Sequence, residues 1–95
     1  MQRRRFDHLF VEISLAVGRH LPRYPLWLTL KELGMEPEQL SREAAIEFCD
    51  RHLTAFVARC GDHLSPRQLR RLQRAVARYD PEIPTPYERM ARIEW

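Results

Sequence analysis

Glycine is scarce in this 95-residue chain: Gly18, Gly34 and Gly61 are the full set, and they are widely scattered. That excludes a glycine-rich phosphate loop, which needs several glycines close together so that backbone N–H groups can approach the anion. Lysine is scarcer still, with Lys31 alone among sixteen basic residues and Arg supplying the rest. Arg in place of Lys says little without knowing where the arginines fall, because a GC-rich genome produces the same bias as a need for planar, bidentate donors. Long apolar runs are also missing. The best stretch, Ile13 to Gly18, contains Ser14 and falls far short of the ~20 residues a membrane-crossing helix requires, so no span is expected. Arg3-Arg4-Arg5-Phe6 matches the opening of a twin-arginine export signal, but Asp7, His8 and Glu12 interrupt the apolar segment that should follow. Two cysteines without a secretory signal fit a reducing compartment, where free thiols act as small apolar groups. A cytoplasmic protein is expected.

What is present is globular in composition, with 44% hydrophobic and 31% charged residues in 11.4 kDa. Residues 1–95 read as a single helical domain, with 1–5 a basic arm and 81–95 a proline-rich segment carrying a short helix. A chain of this size buries only about 60 to 65% of its unfolded surface, which leaves little room for both a core and a deep catalytic cleft. No enzymatic activity is expected. The net charge of +3 is mild.

The spacing of apolar residues predicts an all-α fold: a compact bundle of four helices plus a short C-terminal helix, with no sheet. Phe6, Leu9, Phe10, Ile13, Val17 and Leu21 advance in threes and fours, one face of a helix that Pro22 and Pro25 should end. The dense run Leu26 to Leu30 has no second strand to pair with and fits a short helix ending near Gly34, with Pro37 beyond it. A central helix should begin at Pro37 or with Ser41 as N-cap and run to about Cys60, where Gly61 stops it. The fourth start is the best specified. Ser65 is placed as N-cap, Pro66 as first helical residue, Gln68 as capping-box partner, and Leu64 with Leu69 as hydrophobic staple. Thr85-Pro86-Tyr87-Glu88 repeats that pattern for the last short helix. The expected core comprises Phe10, Ile13, Trp27, Leu30, Phe48, Phe56, Leu69, Leu72 and Val76.

Four patterns bear on chemistry. Cys49-x-x-His52 and Cys60-x-x-His63 supply four zinc-type ligands, but an eleven-residue offset on a helix separates the pairs by about 16 Å, too far for one ion. Neither a metal nor another cofactor is expected. Cys49 with His52 has the spacing of a nucleophile and base, yet Cys49 sits among Phe48, Leu53 and Phe56 rather than in an electropositive, accessible setting, so no catalytic residue is assigned. Glu43, Glu47 and Asp50 line up as a solvated polar face rather than an acid–base site. Leu28 to Ile46 has the outline of a divergent helix-turn-helix, but Leu30 is large where a small residue is normal, and the would-be recognition helix carries Glu36, Glu38, Glu43 and Glu47, which repel phosphates.

The strongest signal is a stripe of arginines. Arg67, Arg70, Arg71, Arg74 and Arg78 lie at offsets 0, 3, 4, 7 and 11, which at about 100° per residue confines them to a band roughly 100° wide. No acid interrupts it, and Leu69, Leu72, Val76 and Tyr79 occupy the opposite face. An ordinary solvated helix mixes charge signs for i to i+4 support, whereas this one forgoes it unless Glu43, Glu47 and Asp50, or Glu88 and Glu94, approach from elsewhere. The expectation is a small non-enzymatic binding or adaptor module that presents these five arginines to an acidic protein surface. The alternative partner, nucleic acid, would use the same face, but single-strand binders interleave stacking rings with basic groups and this stripe has none.

Overall fold

The computed structural model describes residues 4–80. Five helices follow one another: α1 (Arg4–Val17), α2 (Arg23–Glu32), α3 (Arg42–Arg51), α4 (Leu53–Arg59) and α5 (Pro66–Arg78). No strand element occurs among the described residues, and Leu26 to Leu30 lie inside α2. The fold is therefore an all-α bundle, with the 13.1 Å radius of gyration that a compact chain of this length should have. The short helix expected within 81–95 lies outside the described residues, as do residues 1–3.

Helix α1 starts earlier and stops sooner than the apolar spacing suggests. Arg4 and Arg5, expected in a basic arm, form its first turn. The guanidinium of Arg5 lies 5.5 Å from the Tyr79 ring centre, and the His8 imidazole stacks on that ring at 4.0 Å, so this turn is held against the end of α5. The other end is set by Gly18 at φ +78, not by Pro22. A left-handed residue there lets the N–H groups of Gly18 and Arg19 both donate to the Ser14 carbonyl, at 2.9 and 3.3 Å.

Helix α2 takes Pro22 as N-cap and carries Pro25 in its first turn, where a missing N–H removes no intrahelical bond. Its end follows the sequence expectation. Gly34 at φ +80 closes it, and the Met35 N–H donates back to the Leu30 carbonyl at 2.9 Å. Ser41 is the N-cap of α3, its side chain accepting from the Ala44 N–H at 3.0 Å.

The expected central helix is broken at His52, whose φ of −121° separates α3 from α4. No proline or glycine marks the break. Its reason is packing: Phe48 and Val57 are nine residues apart and would point in opposite directions on a straight helix, yet both are buried. Turning the chain at His52 aims both into the same core.

Helix α5 begins with the predicted reciprocal cap. Ser65 Oγ accepts from the Gln68 N–H at 3.1 Å, and Gln68 Oε1 accepts from the Ser65 N–H at 2.8 Å. The same Gln68 also donates through Nε2 to the Ala16 carbonyl at 3.0 Å, satisfying an orphan acceptor in the last turn of α1. With the His8–Tyr79 stack at the opposite ends, this makes α1 and α5 antiparallel neighbours. Helix α3 packs on another side of α5 and starts beside its C-terminal end, where Arg42 Nε donates to the Ala77 carbonyl at 2.9 Å. Gln68→Ala should lower stability by about 1 to 2 kcal/mol, read as a smaller urea midpoint at unchanged m-value. Gln68→Glu, which keeps the cap acceptor but has nothing to donate to Ala16, should fall between that variant and the parent.

One apolar cluster draws on all five helices. Of the nine residues expected in the core, Phe10, Ile13, Leu30, Phe48, Phe56, Leu72 and Val76 are buried, while Trp27 and Leu69 are half-buried at its margin. Trp27 is drawn outward by its neighbours, since its ring stacks with that of Tyr24 and lies 5.4 Å from the Lys31 ammonium.

Candidate interaction face

Helix α5 buries Leu72 and Val76 and exposes the opposite side, as its apolar spacing requires. Arg67, Arg70, Arg71, Arg74 and Arg78 are all exposed, on one face of one helix. Among the described residues none of the five forms an ion pair or a side-chain hydrogen bond. The acids that might have neutralised them do not. Glu43, Glu47 and Asp50 are exposed on α3 and make no ion pair with α5, although α3 packs against it, because Ala45, Phe48 and Cys49 are what α3 turns inward. Glu88 and Glu94 lie outside the described residues.

Arg71 faces a nearby carboxylate among the described residues, that of Glu12. Burial between α1 and α5 pushes the Glu12 carboxyl above its usual range, and the Arg71 charge pulls it part of the way back. Glu12 also lies 3.5 Å from His8 Nε2 on the preceding turn.

A multiply hydrogen-bonded ion pair lies away from this face. Arg19 reaches across 43 positions to Asp62, with Nη2 at 2.6 Å and Nε at 3.0 Å from Oδ2, while the same Nη2 donates to the Cys60 carbonyl at 2.8 Å. The pair joins the α1–α2 turn to the α4–α5 turn. The hydrogen bond from Arg19 holds the Asp62 carboxyl below the usual carboxylate range. A depressed folded value means that the pair's stabilisation is present above the unfolded carboxyl pKa, about 3.9, and is lost as pH falls through the folded one. In an NMR pH titration, Arg19→Ala should return Asp62 to the ordinary range. An unchanged Asp62 titration would show that the two side chains do not pair in solution.

The residues singled out for metal or nucleophilic chemistry are dispersed. Cys49 is buried on α3, His52 sits at the α3–α4 break against the Phe48 ring, Cys60 is half-buried at the end of α4, and His63 is exposed in the following turn. Among the described residues no three His, Cys, Asp or Glu side chains gather to hold an ion, and no hydrogen bond joins Cys49 to His52. Helices α2 and α3 are separated by residues 33–41, well beyond the three- to four-residue turn of a helix-turn-helix, and the buried face of α3 is committed to the core. No helix among the described residues is long and apolar enough to cross a membrane.

Two surface features escaped the sequence reading. Val11 and Leu15 stand exposed on α1, and Tyr24 with Trp27 forms an outward-facing stacked pair on α2. Both have a sequence signature of apolar or aromatic residues three or four apart on a helix side that the core does not use. No protein-family model matches the chain, and no curated protein or solved structure is similar enough to it to count as a match.

Proposed function

We propose that this protein is a non-enzymatic binding module that docks an acidic protein surface on the arginine face of α5, with Arg67, Arg70, Arg71, Arg74 and Arg78 as the contact residues. The observation that carries the reading is the set of five exposed guanidinium groups without an ion-pair partner among the described residues, on a helix whose other side is fixed in the core. Aligned cations without interleaved acids create a local positive field that a net +3 conceals, and such a field draws anionic surfaces at long range. Guanidinium forks match carboxylates bidentately, which suits a Glu- or Asp-rich partner. Ring placement favours protein over nucleic acid. Helix α5 contains no aromatic residue, Tyr79 at its end is buried under His8, and the stacked pair of exposed Tyr24 with half-buried Trp27 belongs to α2, whereas α5 packs against α1 and α3. Two free thiols support a reducing, cytoplasmic setting.

The test is an amide-shift NMR titration with polyglutamate, duplex DNA and single-stranded DNA at low and high salt. Polyglutamate should shift the α5 amides. The effect should fade as added salt shortens the Debye length from about 10 Å at 0.1 M to about 3 Å at 1 M. Arg70→Glu with Arg74→Glu should abolish the shifts while leaving the helical circular dichroism intact, because exposed charges contribute only about 0 to 1 kcal/mol each to stability. Shifts with DNA but not polyglutamate would transfer the face to nucleic acid. Unfolding of the double variant would make the stripe a structural element and end the binding hypothesis.

A further inference from the structure

Next to the arginine face, α1 carries one of the apolar surfaces that the described part of the bundle leaves in water. Val11 is 43% and Leu15 70% exposed, and four residues apart they form one ridge. Leu15 is also one wall of an open groove of about 560 Å³ between α1 and α5, lined by Ala16, Leu72 and Ala75, with Arg71 and Gln68 on the α5 side and the half-buried Glu12, whose carboxyl faces Arg71, on the α1 side. Ala16 and Ala75, being small, keep this groove open between two helices that are otherwise in contact. On α5, Arg67, Arg71 and Arg78 fall within about 40° of one another at 100° per residue. They form the edge of the stripe that borders the groove. An apolar ridge and a row of exposed arginines that form no ion pair among the described residues thus run side by side along antiparallel helices.

We propose that the acidic partner is presented as an amphipathic helix lying along this groove. Its apolar residues, at i, i+3 or i+4 spacing, pack on Leu15 and Val11, and its acidic edge faces Arg67, Arg71 and Arg78. The inference rests on the acidic-partner reading above and adds the form that the partner takes. Charge and shape select this occupant together. An extended polyacid would pair with the arginines and leave Leu15 in water, while a second copy of this chain would bring one cationic stripe against another. A helix with one apolar and one acidic edge satisfies both features, in the groove-binding mode that such helices use.

The test is fluorescence anisotropy with two labelled peptides of identical Leu, Glu and Ala content and about 16 residues, long enough to form a helix. One places the leucines on a single helical face, and the other permutes them around the helix. The amphipathic peptide should bind at least about tenfold more tightly, as burial of one or two leucine side chains requires. Leu15→Ser, at an exposed position that leaves the fold intact by circular dichroism, should remove that preference without changing affinity for the permuted peptide. Equal binding of the two peptides, or an unaltered preference in Leu15→Ser, overturns the groove-bound helix. In that outcome the acidic-partner reading survives only if both peptides still lose affinity for Arg70→Glu with Arg74→Glu. Failure of both peptides to bind the unmodified protein counts against both proposals.

Discussion

Replacing Phe48 with alanine should remove about 3 to 5 kcal/mol of stability, the range for deleting a buried aromatic ring from a packed core. A 95-residue chain has on the order of 5 to 14 kcal/mol in total, so the loss is about a fifth or more of what keeps it folded. The size of the effect follows from where the ring sits. Phe48 is 0% exposed on α3, its ring meets that of Phe56 from α4 edge-on at 6.0 Å, and its carbonyl accepts from His52 N–H at the break between the two helices. Removing it opens a cavity under a seven-residue helix, α4, that has little hydrogen bonding of its own to hold it in place. Denaturant unfolding should therefore show a much lower midpoint, and α4 should lose protease resistance before α1 or α5. Leu15→Ala, at the most exposed large apolar position among the described residues, is the control and should stay within about 0.5 kcal/mol. A loss below about 1.5 kcal/mol in Phe48→Ala would mean that α4 collapses into the space and that the α3–α4 break is softer than its packing implies.

The same part of the chain shows what a sequence can and cannot disclose. The Ser65–Gln68 box and the Gly34 stop were legible, and Ser41 was one of two starts that the sequence allowed for α3, because each is a bond or a backbone conformation settled within about five residues. The break at His52 was not, since the residues that demand it, Phe48 and Val57, are individually ordinary in a helix and conflict only once a single core must hold both. The Arg19–Asp62 pair spans 43 positions and has no local signature at all. Trp27 looked like core by size and polarity, and ended at the margin because Tyr24 and Lys31, one turn away on either side, gather around its ring. For the candidate face, helical arithmetic was enough to align the five arginines. Whether α3 would bring Glu43, Glu47 and Asp50 alongside them depended on the rotation of α3 about its own axis, which only tertiary packing sets. Val11 and Leu15 went unremarked for a related reason, because the apolar spacing in α1 already had a sufficient set in Phe6, Leu9, Phe10 and Ile13.

Cys49 should be nearly inert to iodoacetamide in the folded protein, and about a thousandfold more thiolate should form at that position once the chain is unfolded. Burial, with a smaller contribution from the Asp50 charge, pushes its thiol from an ordinary value near 9.0 up to about 12. Three pKa steps correspond to that thousandfold difference at any pH below both values, and restricted access to a residue only 2% exposed slows the folded reaction further. Half-buried Cys60 serves as the internal marker, identified by mass spectrometry of the labelled peptides. The shift also sets an alkaline limit. An acid whose folded pKa is raised contributes stability fully below its unfolded pKa and loses it as pH climbs toward the folded value, here between about 9 and 12. Over that window the parent chain should lose about 1.4 kcal/mol per pH unit relative to Cys49→Ala. A matching slope in the two proteins would show that Cys49 ionises as readily folded as unfolded. Rapid alkylation of Cys49 in the native state would have a sharper consequence: a reactive thiol one helical turn from His52 is the beginning of a nucleophile–base pair, and the proposal of a non-enzymatic binding module would give way to it.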